Sequence, residues 1–185
     1  LLWQAPRPPL GHFELLAADV GQGTAVLVRT ASHLLLYDAG PRYSPESDAG
    51  HRVLVPLLGQ MGQPLDMLVL SHRDQDHIGG ARAVLDMQPP AKMLTSLPEA
   101  HPLRERRDHD ACAAGQSWTW DGVHFEVLHP DLQATGGGAG RRSSNASSCV
   151  LRIEAGGRSA LLAGDIEAPE ERALVARGLV PVDFL

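Results

Sequence analysis

The sequence predicts an α+β layered sandwich, and three observations carry that expectation. Short β-type runs cluster ahead of the central helical segments and again after them, whereas strict alternation of strand and helix would indicate a doubly wound sheet. One central run, Met67–Leu70, is wholly apolar, as expected of a strand covered on both faces. The chain has 185 residues, 43% hydrophobic and 21% charged, which suits one domain with a substantial core.

Residues 1–12, with Pro6, Pro8 and Pro9, read as an extended linker, and 13–185 as the domain. Phe13, Leu15 and Ala17 alternate with Glu14 and Leu16 and predict a first strand, which Gly21-Gln22-Gly23 ends. Strands at 24–29 and 33–37 follow, the latter closed by Asp38-Ala39-Gly40-Pro41, so the three form an antiparallel meander. Val53, Leu54, Leu57 and Leu58 lie at helical spacing within 52–61, where Pro56 fits only in the first turn. A second helix is expected at 79–87, and strands at Lys92–Thr95 and 123–128. Residues 131–146, rich in Gly and Ser, read as a mobile surface loop. Strands at 148–153 and 159–163 are joined by a Gly156-Gly157 hairpin turn. The last helix, 169–177, has Pro169 near its start, Glu170 and Glu171 in its first turn and Gly178 beyond its end.

No apolar run approaches the ~20 residues that a membrane span needs. Cys112 and Cys149 are too few for a disulfide scaffold and too far apart for a zinc knuckle, so both read as packed thiols. The net charge is −6, from 16 basic and 22 acidic side chains, and nine residues are histidine. The chain opens on Leu1-Leu2-Trp3 without a basic-then-apolar leader and reads as a piece of a longer polypeptide.

Chemistry concentrates in residues 71–80, Ser-His-Arg-Asp-Gln-Asp-His-Ile-Gly-Gly, between the apolar strand and a glycine-led helix. His72, Asp74, Asp76 and His77 place four potential metal ligands in six positions. Imidazole with carboxylate is a donor set for zinc, manganese or iron. So many acidic groups together would repel one another unless a divalent ion dominated the local charge. Asp165 follows another apolar strand, and His129 stands at a strand end. Asp19 and Asp38 each precede a glycine-containing turn and are expected to brace it by accepting backbone hydrogen bonds.

This pattern resembles the metallo-β-lactamase superfamily, whose signature loop has the common form His-x-His-x-Asp-His. Here Asp74 stands in place of the second histidine. Asp19-Val20-Gly21-Gln22-Gly23, Asp38-Ala39-Gly40, the 71–80 loop, 145–151 and 161–166 occur in the order seen in the carboxy-terminal domain of ComEC-type competence proteins. The resemblance implies an αβ/βα sandwich with the site at the sheet edge where 71–80 meets 164–166. It places metal ligands at His72, Asp74, Asp76, His77 and Asp165, with His129, Asn145 and Gln22 as further ligands or rim residues. Thr24 is a small departure at the rim. The oxygen-rich set shifts preference toward manganese, with zinc the other expectation. The family's final His-His-Gly-Ser segment would fall just past Leu185, so one or two ions are expected, weakly held by this stretch.

By the same resemblance the domain is a metal-dependent phosphodiester hydrolase, with Asp76 orienting the nucleophile and DNA as substrate. It would degrade the strand that is not taken up. The membrane-channel portion of the same polypeptide would be its partner, and the extracytoplasmic side of a bacterial inner membrane its location. Arg104, Arg106 and Arg107, then Arg141 and Arg142, form two local basic clusters in an otherwise acidic chain. Hydrolysis of another ester or a lactam, and a non-catalytic module that binds DNA or braces the channel, are the other readings that the residues leave open.

Overall fold

Strands with apolar residues at every position need cover on both faces, and the computed structural model, which describes residues 6–132 and 143–185, supplies it. Strands β1 (Glu14–Ala17), β2 (Val26–Arg29) and β3 (Leu34–Tyr37) form the expected antiparallel meander. β3 then pairs in parallel with β6 (Met67–Leu70), which pairs with β7 (Lys92–Thr95) and β8 (His109–Ala111), completing a mixed sheet of order β1-β2-β3-β6-β7-β8. A hairpin, β4 (Arg42–Ser44) and β5 (Ser47–Asp48), lies between β3 and the first helix. The second sheet is antiparallel, β9 (Ser117–Trp120), β10 (Val123–His129), β11 (Val150–Ala155) and β12 (Arg158–Leu162), ordered β12-β11-β10-β9.

Side-chain alternation distributes these strands between three apolar layers. Leu34, Leu36, Leu68 and Leu70 pack against Leu58, Val84 and Leu85 of helices α1 (Val55–Met61) and α3 (Ala81–Met87). Leu35, Tyr37 and Val69 face Phe125, Val127, Leu151 and Ile153 between the sheets. Val150 and Leu161 meet Leu174 of α4 (Ala168–Ala176) outside the second sheet. The order helix, sheet, sheet, helix is the αβ/βα sandwich that the resemblance implies.

Several elements differ from expectation for local reasons. The first helix opens with a π-type turn at Gly50–Leu54, which leaves Pro56 in the first turn of α1. The helix expected at 79–87 is present as α3, and a one-turn α2 (Gln75–Ile78) precedes it within the 71–80 loop, across Gly79-Gly80. A side chain at Gly80 would strike the backbone of Gly50, so only glycine lets the two segments cross there. Asp121-Gly122, a strong turn signal, turns the β9–β10 hairpin. Cys112 and Cys149 are not packed thiols: they form a disulfide between the end of β8 and the start of β11, with Cα atoms 5.8 Å apart. At the start of the chain, Pro8 is buried and the Gly11 N–H donates to the Asp121 carbonyl at 2.7 Å, so this end of the proline segment lies against the domain. Most of the 131–146 loop, with Arg141 and Arg142, and the first five residues lie outside the described residues.

Candidate metal centre

The site forms where the carboxyl ends of β3 and β6 meet the turn after β12. The parallel pairing of β3 with β6 brings Asp38 beside Ser71, and the Asp38 N–H closes the ladder on the Val69 carbonyl at 2.8 Å. Asp38 takes the left-handed backbone conformation, φ 58°, which Asp tolerates better than most side chains. Its buried carboxylate accepts three bonds: from the Ser71 N–H at 2.7 Å, the Ser71 hydroxyl at 2.7 Å and Nδ1 of His77 at 2.8 Å.

That carboxylate sets the tautomers of both histidines. Because Nδ1–H of His77 donates to Asp38, Nε2 is the His77 nitrogen that faces the site and is left to ligate. The Ser71 hydroxyl gives its proton to Asp38, so its oxygen accepts from Nδ1 of His72 at 2.9 Å, again leaving Nε2 as the acceptor. Nε2 of His72 is buried without a hydrogen-bond partner. A buried orphan nitrogen is costly in a folded chain. Here one donor atom from each of His72, His77 and Asp165 lies within 4.8 Å of the others.

Asp165 comes from the second sheet. Gly164, at φ 57°, turns the chain after β12, and the Asp165 N–H donates to the Ser148 hydroxyl at 3.2 Å. Its carboxylate approaches Nε2 of His77 at 3.2 Å. Asp74 stands 3.6 Å from Nε2 of His72, and Asp76 stands 4.0 Å from Nε2 of His77. The three carboxylates are 42%, 45% and 41% exposed for Asp165, Asp74 and Asp76, whereas the imidazoles are 2% exposed or less. The cluster is therefore an open acidic mouth over a closed imidazole floor.

Electrostatics separates the two rings. Burial lowers the His72 pKa, reinforced by the neighbouring charge of His77. Burial also opposes charge on His77, but the hydrogen bond to Asp38 and the charges of Asp38, Asp165 and Asp76 outweigh it and raise the pKa. Burial, then the charge of Asp38, pushes the phenol of Tyr37 well above its ordinary value, so it donates to the Cys149 carbonyl at 2.6 Å as a neutral group.

The Asp19 carboxylate braces its own turn through the Gly21 N–H, as expected. Gln22 is exposed in that turn, and Gly23 presses against the Asp76 carbonyl, which also accepts the Thr24 N–H at 3.1 Å. His129 is buried with Nε2 3.0 Å from the Ala146 carbonyl, and the Asn145 amide donates to Glu167 at 3.4 Å. Neither belongs to the converging group of three. Asp38 is more than a turn brace, since it orients a ring 39 positions away. The Asp-x-Gly turn at the end of an apolar strand was its only visible signal. Ser148 gave none.

Residues 18–184 match the metallo-beta-lactamase superfamily. The chain belongs to that superfamily. It is 37% identical over 185 residues to Recombination protein 2 of Haemophilus influenzae, covering 100% of this chain and 22% of that protein. It is 39% identical over 160 residues to Competence protein ComA of Neisseria gonorrhoeae, covering 86% of this chain and 20% of that protein. This superfamily domain is thus related to bacterial competence proteins, and it spans about a fifth of the length of the curated relatives it matches. A metallo-beta-lactamase structure from Cronobacter sakazakii shares the fold with a TM-score of 0.60 at 17% identity, covering 97% of this chain and 78% of that one. No helix among the described residues is long and apolar enough to cross a membrane.

Proposed function

We propose that this domain is a metal-dependent phosphodiesterase that cleaves DNA as part of an uptake machinery. The observation that carries the metal reading is the orphaned Nε2 of His72, aimed into a group completed by His77 and Asp165. The donor set fits a divalent ion: two imidazoles, each with Nδ1 engaged and Nε2 turned to the site, and a carboxylate, with Asp74 and Asp76 close enough to add oxygens. The oxygen excess favours manganese over zinc. A bound divalent ion there supplies Lewis acidity toward water and neutralises charge on a phosphate. Asp38 holds His77 in its ligating tautomer, Ser71 does the same for His72, and Asp76, on the exposed side, orients the attacking water and accepts its proton. Gln22, His129 and Asn145 complete the rim.

DNA is favoured as substrate by the 39% identity to a competence protein. The disulfide supports a place on the oxidising, extracytoplasmic side, since such bonds are rare in reducing compartments. We assign the proline segment, whose end at Pro8 and Gly11 packs on the domain, as the connection to the membrane-channel portion of the parent polypeptide. Nuclease assays with manganese on single- and double-stranded DNA test the reading. Asp76→Ala should abolish cleavage with the circular dichroism spectrum unchanged, and wild-type rates in that variant would refute the chemistry.

A further inference from the structure

Between the two halves of the metal group stands one buried hydroxyl. Ser148, fully buried, has its Oγ 3.3 Å from Nδ1 of His72 and accepts the Asp165 N–H at 3.2 Å. The turn that presents Asp165 is seated on it: a side chain at Gly164 would meet Ser148 Oγ at 3.1 Å and Ser71 Cβ at 3.2 Å. Ser148 therefore contacts a ligand from the first sheet and a ligand from the second.

The next residue is Cys149. Its N–H donates to the Ser71 carbonyl at 2.9 Å, its carbonyl accepts the Tyr37 hydroxyl at 2.6 Å, and its sulfur is bonded to Cys112. Cys112 is itself fixed to the first sheet, since its N–H donates to the Thr95 carbonyl at 2.9 Å. Both cysteines are buried between the sheets. The disulfide thus clamps the segment that carries Ser148 onto the sheet that carries His72.

We propose that the Cys112–Cys149 disulfide positions the metal group through Ser148, so that the centre is fully assembled only in the oxidised chain. This rests on the metal reading above. On oxidation the two thiols lose two protons and two electrons to a disulfide oxidant. One sulfur–sulfur bond forms here, the oxidant's own breaks, and the oxidant leaves as a dithiol. The reduced chain keeps every ligand and loses the clamp between the two halves. A hydrolase built this way stays idle where thiols are kept reduced and gains its centre on reaching an oxidising compartment.

Calorimetry with manganese on the whole chain tests this. Against the oxidised wild type, Cys112→Ala combined with Cys149→Ala should bind manganese roughly tenfold more weakly or worse, the range of an outer-shell loss. Ser148→Ala should lose a similar factor, and the triple variant should bind no more weakly than the weaker of the two, because both changes cut one path. Equal affinity in the folded double-alanine protein and the wild type would overturn the inference. Should that protein fail to fold, the oxidised Ser148→Ala chain, whose disulfide is intact, decides instead: manganese affinity equal to that of the wild type there overturns the inference. If the oxidised wild type binds no manganese, the metal reading itself fails.

Discussion

Two aspartates at opposite ends of the sandwich adopt the same unusual backbone, φ 58° at Asp38 and φ 53° at Asp121, and are put to different use. Each gathers donors from a remote segment. Asp121, in the β9–β10 turn, accepts from the Thr30 hydroxyl at 2.6 Å, the Ser32 N–H at 2.7 Å, the Ser32 hydroxyl at 2.8 Å and Nδ1 of His33 at 3.1 Å. The His33 ring also stacks on Trp120 at 4.7 Å. There the carboxylate pins the β2–β3 turn of one sheet to the β9–β10 turn of the other. At Asp38 the carboxylate is equally satisfied, but its partners are not. His77 turns its Nε2 to the half-exposed Asp165 carboxylate, His72 keeps an orphan nitrogen, and Asp74 and Asp76 stand half-exposed beside them. One device serves both ends, and the lone pairs left over mark the end that does chemistry.

Substitutions at the two ends should therefore separate binding from stability. The largest expected effect is at the ligands. Asp165→Ala removes one of three converging donors and should reduce manganese affinity by more than the roughly 10–100-fold of an outer-shell change, with no loss of thermal stability in the metal-free protein. Calorimetry and a melting curve on the same sample check both halves. Next is Asp38→Asn, which keeps the shape and removes the charge. It should cost about 10–100-fold in metal affinity, because the amide no longer enforces the His77 tautomer. Unchanged affinity there would mean that Asp38 is only a turn brace. Asp121→Ala should do the reverse, destabilising the fold by about 2–4 kcal/mol through lost and orphaned hydrogen bonds while leaving metal affinity at the wild-type value. Urea unfolding beside calorimetry measures the contrast. A drop in affinity at Asp121→Ala would show that the two ends are coupled.

The metal end was largely legible in the sequence because its residues are local. Four candidate ligands fall in six positions after an apolar strand and Asp165 follows another, while the meeting of 71–80 with 164–166 was implied by the family resemblance. What supports them was not legible. Asp38 reaches His77 and Ser148 reaches His72 through pairings set by sheet order, which no local spacing encodes. The disulfide was missed for the same reason, since 37 positions separate two cysteines that only the packing of two sheets brings together. β8 is three residues, His109-Asp110-Ala111, with no alternation to read, and its strand state comes from pairing with β7. Asp121 could have been weighed as the first half of a hairpin turn, but its four donors lie about ninety positions away.

The smallest expected effect is a matter of pH and isolates the charge at Asp121. Burial works against that charge. The hydrogen bonds from Thr30, Ser32 and His33 more than compensate, and they hold the carboxyl far below the usual carboxylate range in the folded chain. A folded-state pKa below the unfolded value of about 3.9 means that the ionised carboxylate stabilises the fold fully above that pH, and that the contribution is lost as pH falls toward the folded value. Asp121→Asn cannot titrate and so lacks this term at every pH. The difference in unfolding free energy between wild type and Asp121→Asn should begin to shrink below about pH 4 and go on shrinking down to the acid limit. Taking the difference cancels every other carboxylate in the chain, including the cluster around His77, whose repulsions make the wild-type acid profile alone uninterpretable. Urea titrations of both proteins at pH 7, 5, 3.5 and 2.5 measure it. A gap that stays flat through pH 2.5 would show that Asp121 holds its hairpins by shape alone, and the contrast with Asp38 would then lie in hydrogen-bond count and not in charge.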